Sequence, residues 1–402
     1  MSESNLFKLL DFDPWDDGDR ERVDTYAIIK KARQTPQDVD LMYTFSKNAL
    51  YKRLFPLHQA ILLGLNVEAI DVLSSPVAVK RKCNGATALH IALGFYFKSD
   101  QGLNASKDVV ALLLRKYPDA AKEKDSEDKT PLQIALENKA PLDVLSLLLH
   151  IWPDAAKEKG RDGRNPIHFA CRYRSSLDVM FVLLSGWPDA AKQKTKYGGT
   201  PLHLACQYGA PLNVVSALLS SFPDAAREKE VFGRTPLHLA CLFGSPLDVV
   251  SALLSSFPDA LQQKERRGNT PLHLACRYKA SMDVIQLLLD EWLKATENRN
   301  KHSVESLRSL ASGKTKRLLF YVSSLFNEEQ SNPSPGEIMR IFININWWNG
   351  AMLVISRYPA VTKSLDLDIK VMADFLSIVG KRCSLTTMSY LIQNEPDLLE
   401  GV

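Results

Sequence analysis

The hexapeptide Thr-Pro-Leu-His-Leu-Ala stands at residues 200–205, 235–240 and 270–275. Two variants precede it, Thr130-Pro131-Leu132-Gln133-Ile134-Ala135 and Asn165-Pro166-Ile167-His168-Phe169-Ala170. The five starts, 130, 165, 200, 235 and 270, are each 35 residues apart. A fixed period of roughly 20–50 residues marks a solenoid, in which each unit buries its apolar face against its neighbours. Each unit also spells out its own local structure. Thr, or Asn165, caps a helix through its side-chain oxygen, and Pro follows at the first helical position, where its missing N–H costs nothing. Gly209 and Gly244 suit the left-handed turn that ends that helix. A second helix follows, such as Leu247-Asp248-Val249-Val250-Ser251-Ala252-Leu253-Leu254. It stops at an aromatic-Pro pair: Tyr117-Pro118, Trp152-Pro153, Trp187-Pro188, Phe222-Pro223 or Phe257-Pro258.

Thr-Pro-Leu-His-Leu-Ala, followed by Gly and a leucine-rich second helix, resembles the ankyrin repeat, a turn and two helices with a period of about 33 residues. The units here are longer, and the surplus falls around the aromatic-Pro-Asp-Ala-Ala stretch. The resemblance implies an all-α, ankyrin-type helical repeat solenoid over residues 55–298, with about seven units starting near 55, 87, 130, 165, 200, 235 and 270. The first begins at Phe55-Pro56-Leu57-His58 and the second at Thr87-Ala88-Leu89-His90-Ile91-Ala92. Thr87 to Thr130 spans 43 residues. The excess is placed in a surface loop at 95–107, where Phe95, Tyr96 and Phe97 can pack over the repeats or meet a partner.

The flanks read differently. Residues 23–54 form a helical N-terminal cap, with one helix over 26–33 and another opened by Thr35-Pro36. Residues 1–22 read as an acidic flexible arm. Residues 1–25 hold eight acids and three bases, a net −5, so a total of +4 leaves +9 on the rest. Such an arm can dock elsewhere, lie back on its own basic remainder, or be a ragged terminus. Residues 299–402 read as a diverged helical, ankyrin-like C-terminal region. One longer helix is expected over 304–327, then a break at Asn332-Pro333 and a capping box at Ser334-Pro335-Gly336-Glu337. Trp348 to Pro359 and Leu385 to Pro396 each repeat the 11-residue interval of Leu247 to Pro258.

Composition narrows the function classes. At 45% hydrophobic and 24% charged, the sequence is that of an ordinary folded domain. A net charge of +4 over 402 residues argues against nucleic acid as the partner. The acidic N-terminus lacks a secretory signal, and no apolar run nears the roughly 18 residues of a membrane span. The expected setting is cytoplasmic or nuclear, with no membrane contact. Phosphate-loop, dinucleotide, nucleophile-elbow and zinc-protease motifs are all missing, so neither an enzyme nor a cofactor is expected.

His58, His90, His168, His203, His238 and His273 share one repeat position. Packed helices lie about 8–10 Å apart, whereas two ligands of one zinc must lie within about 4 Å of each other, so this row cannot bind metal. The resemblance implies that this His bonds within its turn and to the next unit, with Gln133 keeping part of that bonding. Cys171, Cys206, Cys241 and Cys276 also recur at 35 residues. The same spacing disfavours disulfides, which need Cα atoms within about 7 Å. The aromatics before each Pro are expected as core on the outer helix layer.

A repeat protein's identity lies in its variable positions. The resemblance implies that the turn tips and the ends of the first helices line a concave binding face. The helix ends carry Arg172-Tyr173, Gln207-Tyr208, Leu242-Phe243 and Arg277-Tyr278. The tips carry Arg161 and Arg164, Lys196 and Tyr197, Val231 and Phe232, and Arg266 and Arg267. Tyr and Arg bring rigid area and several donors, the properties of interface hot spots. The expected binding residues are Arg161, Arg164, Arg172, Tyr173, Tyr197, Tyr208, Phe232, Phe243, Arg266, Arg277 and Tyr278. The expected function is a non-catalytic, monomeric scaffold that binds a protein with an acidic segment. The alternative is nucleic-acid binding through the same Arg/Tyr-rich face, by stacking on exposed bases.

Overall fold

A computed structural model describes residues 5–48, 53–95, 103–327, 333–358 and 361. The fold is an all-helical repeat solenoid. It comprises two compact units, Met1–Val231 and Phe232–Val402. The division falls inside the repeat array, not at either flank boundary expected from the sequence.

In the first unit, each repeat is a pair of antiparallel helices. Pro131–Glu137 pairs with Leu142–Ile151, Pro166–Arg172 with Leu177–Gly186, and Pro201–Gln207 with Leu212–Ser221. The first helices pack side by side, Pro166–Arg172 lying between its neighbours on either side. Their inward positions carry Leu, Ile, Phe, Ala and Cys, all buried. The second helices follow the same order. The two earlier repeats, Pro56–Leu62 with Val67–Leu73 and Ala88–Phe95 with Leu103–Lys116, keep the plan. The helix from Leu103 takes in residues expected as loop, while 96–102 lie outside the described residues.

A third element closes each repeat. Pro118–Lys122, Pro153–Lys157, Pro188–Lys192 and Pro223–Arg227 are 3-10 turns. The residue before a proline is pushed out of the helical region. Trp152 accordingly sits at φ −140° and ψ 89°, ending the second helix, and Pro153 starts the turn. The Ala-Ala pair is what the turn buries: Ala155 and Ala156 are closed in, as are Ala190 and Ala191. Tyr117, Trp152, Trp187 and Phe222 remain half-buried. This corrects the core assignment for those rings. The pre-proline bend leaves them along the outer edge, and two small alanines fill the inner space.

The N-terminal residues differ most from expectation. They form helices Asn5–Leu10 and Asp17–Glu21 where a flexible arm was expected. Leu6 and Leu10 are fully buried, packed with the helix Thr25–Gln34 and the first repeat. Buried Gln59 ties this segment down. Its Nε2 donates to the carbonyls of Leu10 (3.1 Å) and Phe12 (2.9 Å), and its Oε1 accepts from Asn48 Nδ2 (2.9 Å). Asp11 accepts from Ser46 Oγ at 2.7 Å, and Asp19 pairs with Lys47 at 3.4 Å. These two acids therefore bond locally, to residues just ahead of the first repeat.

The second unit holds the repeats Pro236–Phe243 with Leu247–Ser256 and Pro271–Arg277 with Met282–Trp292. Beyond them come two helices, Lys301–Leu310 and Gly313–Leu325, where one was expected. The break is at Ser312-Gly313, where Ser312 is extended and Gly313 takes φ +55°. Ser334 and Glu337 form the expected capping box, with Ser334 N–H donating to the Glu337 carboxylate at 2.8 Å. It opens Pro335–Asn344, which packs with Trp348–Arg357. The interval ending at Pro396 lies outside the described residues.

Cys171 and Cys206 of the first unit, and Cys241 and Cys276 of the second, form no disulfide and are buried on the first helices. Burial pushes the Cys206 and Cys276 thiols up to about 12. Alkylation needs the thiolate and an open path. All four should stay unmodified by iodoacetamide in the native protein and react once it is unfolded in urea. Mapping the label by mass spectrometry checks this, and native labelling of Cys206 would contradict it.

Candidate binding face

The face begins with the caps that fix where each first helix starts. In the first unit, the Thr200 N–H donates to His203 Nδ1 at 3.2 Å, and the Thr200 hydroxyl lies 2.8 Å from the same nitrogen. Thr87 with His90 and Asn165 with His168 repeat the arrangement. In the second unit, Thr235 pairs with His238 and Thr270 with His273. Because Nδ1 accepts, the ring proton sits on Nε2. His238 Nε2 accordingly donates to the carbonyl of Asn269 in the next turn at 3.3 Å. Gln133 performs both tasks with an amide: Oε1 accepts from Thr130 N–H (3.1 Å) and Nε2 donates to the Glu158 carbonyl (3.0 Å). His238 and Gln133 thus reach the next turn, whereas Nε2 of His58, His90 and His168 is buried without a hydrogen-bond partner among the described residues.

A match to a family model for ankyrin repeats, built of three copies, covers residues 140–229 and 212–301. Residues 140–301 are ankyrin repeats. No curated protein matches the chain. The same capping arrangement stands N-terminal to the matched residues, at Thr87 and Thr130. Ankyrin repeats mediate protein–protein interaction through extended surfaces and are, as a family, non-catalytic. Among the described residues, no three His, Cys, Asp or Glu side chains are placed to hold a metal ion, and no helix is long and apolar enough to cross a membrane.

The turn tips between ankyrin repeats are joined main chain to main chain. In the first unit, Lys196 N–H donates to the Asp162 carbonyl at 2.8 Å, and Val231 N–H to that of Tyr197 at 3.0 Å. In the second, Arg266 N–H donates to Phe232 at 2.9 Å. Gly163, at φ +69°, belongs to this joint, and a Cβ there would come within 3.0 Å of the Lys196 nitrogen. Each joint thus holds its two tips at a fixed spacing, while the side chains of Lys196, Tyr197, Phe232 and Arg266 stay exposed.

The candidate residues separate into two kinds. In the first unit, Tyr173 and Tyr208 are half-buried. Tyr173 donates its hydroxyl to Glu137 Oε1 at 2.9 Å, and Arg172 lies over both rings, its Cζ 5.6 Å from each centroid. Arg161 donates to the Ser126 carbonyl at 2.6 Å, and Arg164 pairs with Asp162 at 3.2 Å, so both serve the turns. Tyr197 is 54% exposed. In the second unit, Phe232 and Phe243 are each 51% exposed and Tyr278 is 50% exposed. Arg234 lies over Phe232 and Arg277 over Tyr278. Arg266 is exposed. Sequence reading missed Glu137 and Lys129, whose ammonium pairs with Glu137 Oε2 at 2.8 Å. The signal was present, because Glu137 stands 35 residues before Arg172, at the same place in the repeat.

Proposed function

We propose that this ankyrin-repeat chain is a non-catalytic scaffold, holding partner proteins on the tips and first-helix ends of its repeats. The observation that carries this reading is the set of half-exposed aromatics on that face: Tyr197 in the first unit, and Phe232, Phe243 and Tyr278 in the second. Rigid apolar area left in water beside cations is the composition of an interface hot spot. The partner segment is acidic in this reading. Lys196, Arg266 and Arg267 are exposed, and among the described residues no carboxylate pairs with them.

The test is a paired capture from native lysate, using the wild type and a variant carrying Tyr197→Ala, Tyr208→Ala, Phe243→Ala and Tyr278→Ala. Folding of both is verified first by circular dichroism and melting. Phe181, 53% exposed on a second helix, gives the control Phe181→Ala. Specifically retained proteins should fall at least tenfold with the face variant and stay unchanged with the control. Equal retention by all three would remove the face from consideration. Retention that collapses with salt and is competed by any oligonucleotide would replace the protein partner with nucleic acid.

A further inference from the structure

Resting on the reading of that face as protein-binding, we propose that Arg172 is the receiving site for one carboxylate of the bound segment. Arg172 closes the helix Pro166–Arg172 and lies half-buried between two rings, Tyr173 beside it and Tyr208 from the next repeat, each 5.6 Å from its Cζ. The sandwich is anchored from the preceding repeat. The Tyr173 hydroxyl is held by Glu137, whose other oxygen holds Lys129. Glu137 is thereby occupied. Among the described residues, no carboxylate or carbonyl accepts from the Arg172 guanidinium, and the Tyr208 hydroxyl has no partner.

The result is a cation fixed in place with its donor fork unused and a phenol beside it. A planar guanidinium matches a carboxylate with two parallel hydrogen bonds. Its ordering cost is already met by the two rings, so little side-chain freedom is lost on binding.

A random peptide library displayed on phage, selected on the full chain, tests this. Selected peptides should share an acidic residue at one fixed position. Changing that residue to its amide, or Arg172→Gln in the protein, should each weaken binding about tenfold, and the two together no more than either alone. Tyr208→Phe, which keeps the stack and removes the donor, should show a smaller loss. Peptides that depend on Tyr197 and Tyr208 yet ignore Arg172→Gln would overturn the carboxylate site and leave the face intact. Peptides indifferent to Tyr197→Ala, Tyr208→Ala and Arg172→Gln alike would overturn the face itself. Melting of each variant separates loss of binding from loss of fold.

Discussion

Lowering the pH from 7 to 5 should remove about 3–4 kcal/mol of stability from the first unit, before most carboxylates titrate. Burial holds the His58 imidazole at about 4 and that of His168 at about 3, against 6.5 for a free side chain. Burial lowers His90 in the same direction. All three are buried and neutral in the folded state. Below pH 6.5 the unfolded chain binds protons at these positions and the folded chain does not. Each deeply shifted histidine therefore tilts the balance toward unfolding by about 1.4 kcal/mol per pH unit, until its folded pKa is reached. Above pH 6.5 the effect is absent. Urea unfolding at pH 7, 6 and 5, followed by circular dichroism, reads the slope directly. Gln133 already shows how an amide replaces the imidazole without a titrating proton. His168→Gln should accordingly leave stability at pH 7 within about 1 kcal/mol and flatten the acid slope by about half. A slope unchanged by that substitution would show that these histidines do not set the acid limit.

Gly350→Ala should destabilise the second unit by about 3 kcal/mol or more, although glycine to alanine in an ordinary helix is stabilising by about 0.5–1 kcal/mol. Gly350 lies inside the helix Trp348–Arg357, against the face of the Trp347 ring. A Cβ there would sit 2.5 Å from Trp347 Cδ2 and 2.7 Å from Cζ3, well inside contact. The ring cannot easily yield. It is 2% exposed, stands edge-on to Phe342 with centroids 4.7 Å apart, and donates from Nε1 to Asp290 Oδ1 at 2.7 Å. Displacing it overpacks the core, about 1–3 kcal/mol, and strips a partly buried carboxylate of a donor, a further 1–3 kcal/mol or so. Urea titration with tryptophan fluorescence measures this. An unchanged or raised midpoint would mean that the ring is loosely seated.

What could be read from the sequence followed from strong local rules. Thr-Pro and Ser334-Pro335-Gly336-Glu337 announce helix starts because capping needs a specific oxygen at a specific offset. The 35-residue period placed the histidines and cysteines in register, and the structure finds them buried there, with His273 partly exposed. What escaped depends on contacts remote in sequence. Helix Asn5–Leu10 is short and followed by a run of acids, so it passes as an arm until Leu6 and Leu10 are buried and Gln59, about fifty residues on, holds its end. The aromatics before each proline look like core by type, but the pre-proline bend turns them to the edge and gives the interior to two alanines. On the candidate face, the repeat register in the sequence points to the helix ends and turn tips. It could not tell that Tyr173 is tethered to Glu137 while Tyr197 stands free in solvent.

The main-chain joints between turn tips carry a consequence for how such a chain can change over generations. The donors at these joints belong to Lys196, Val231 and Arg266, and the acceptors to Asp162, Tyr197 and Phe232. Acid, base, aliphatic and aromatic residues all occupy the joint, and the bond is the same length to within a few tenths of an ångström. The fold therefore places almost no demand on what projects from a tip. Mutation can rewrite those letters one at a time, exploring new partners, while the framework that displays them stays as it was.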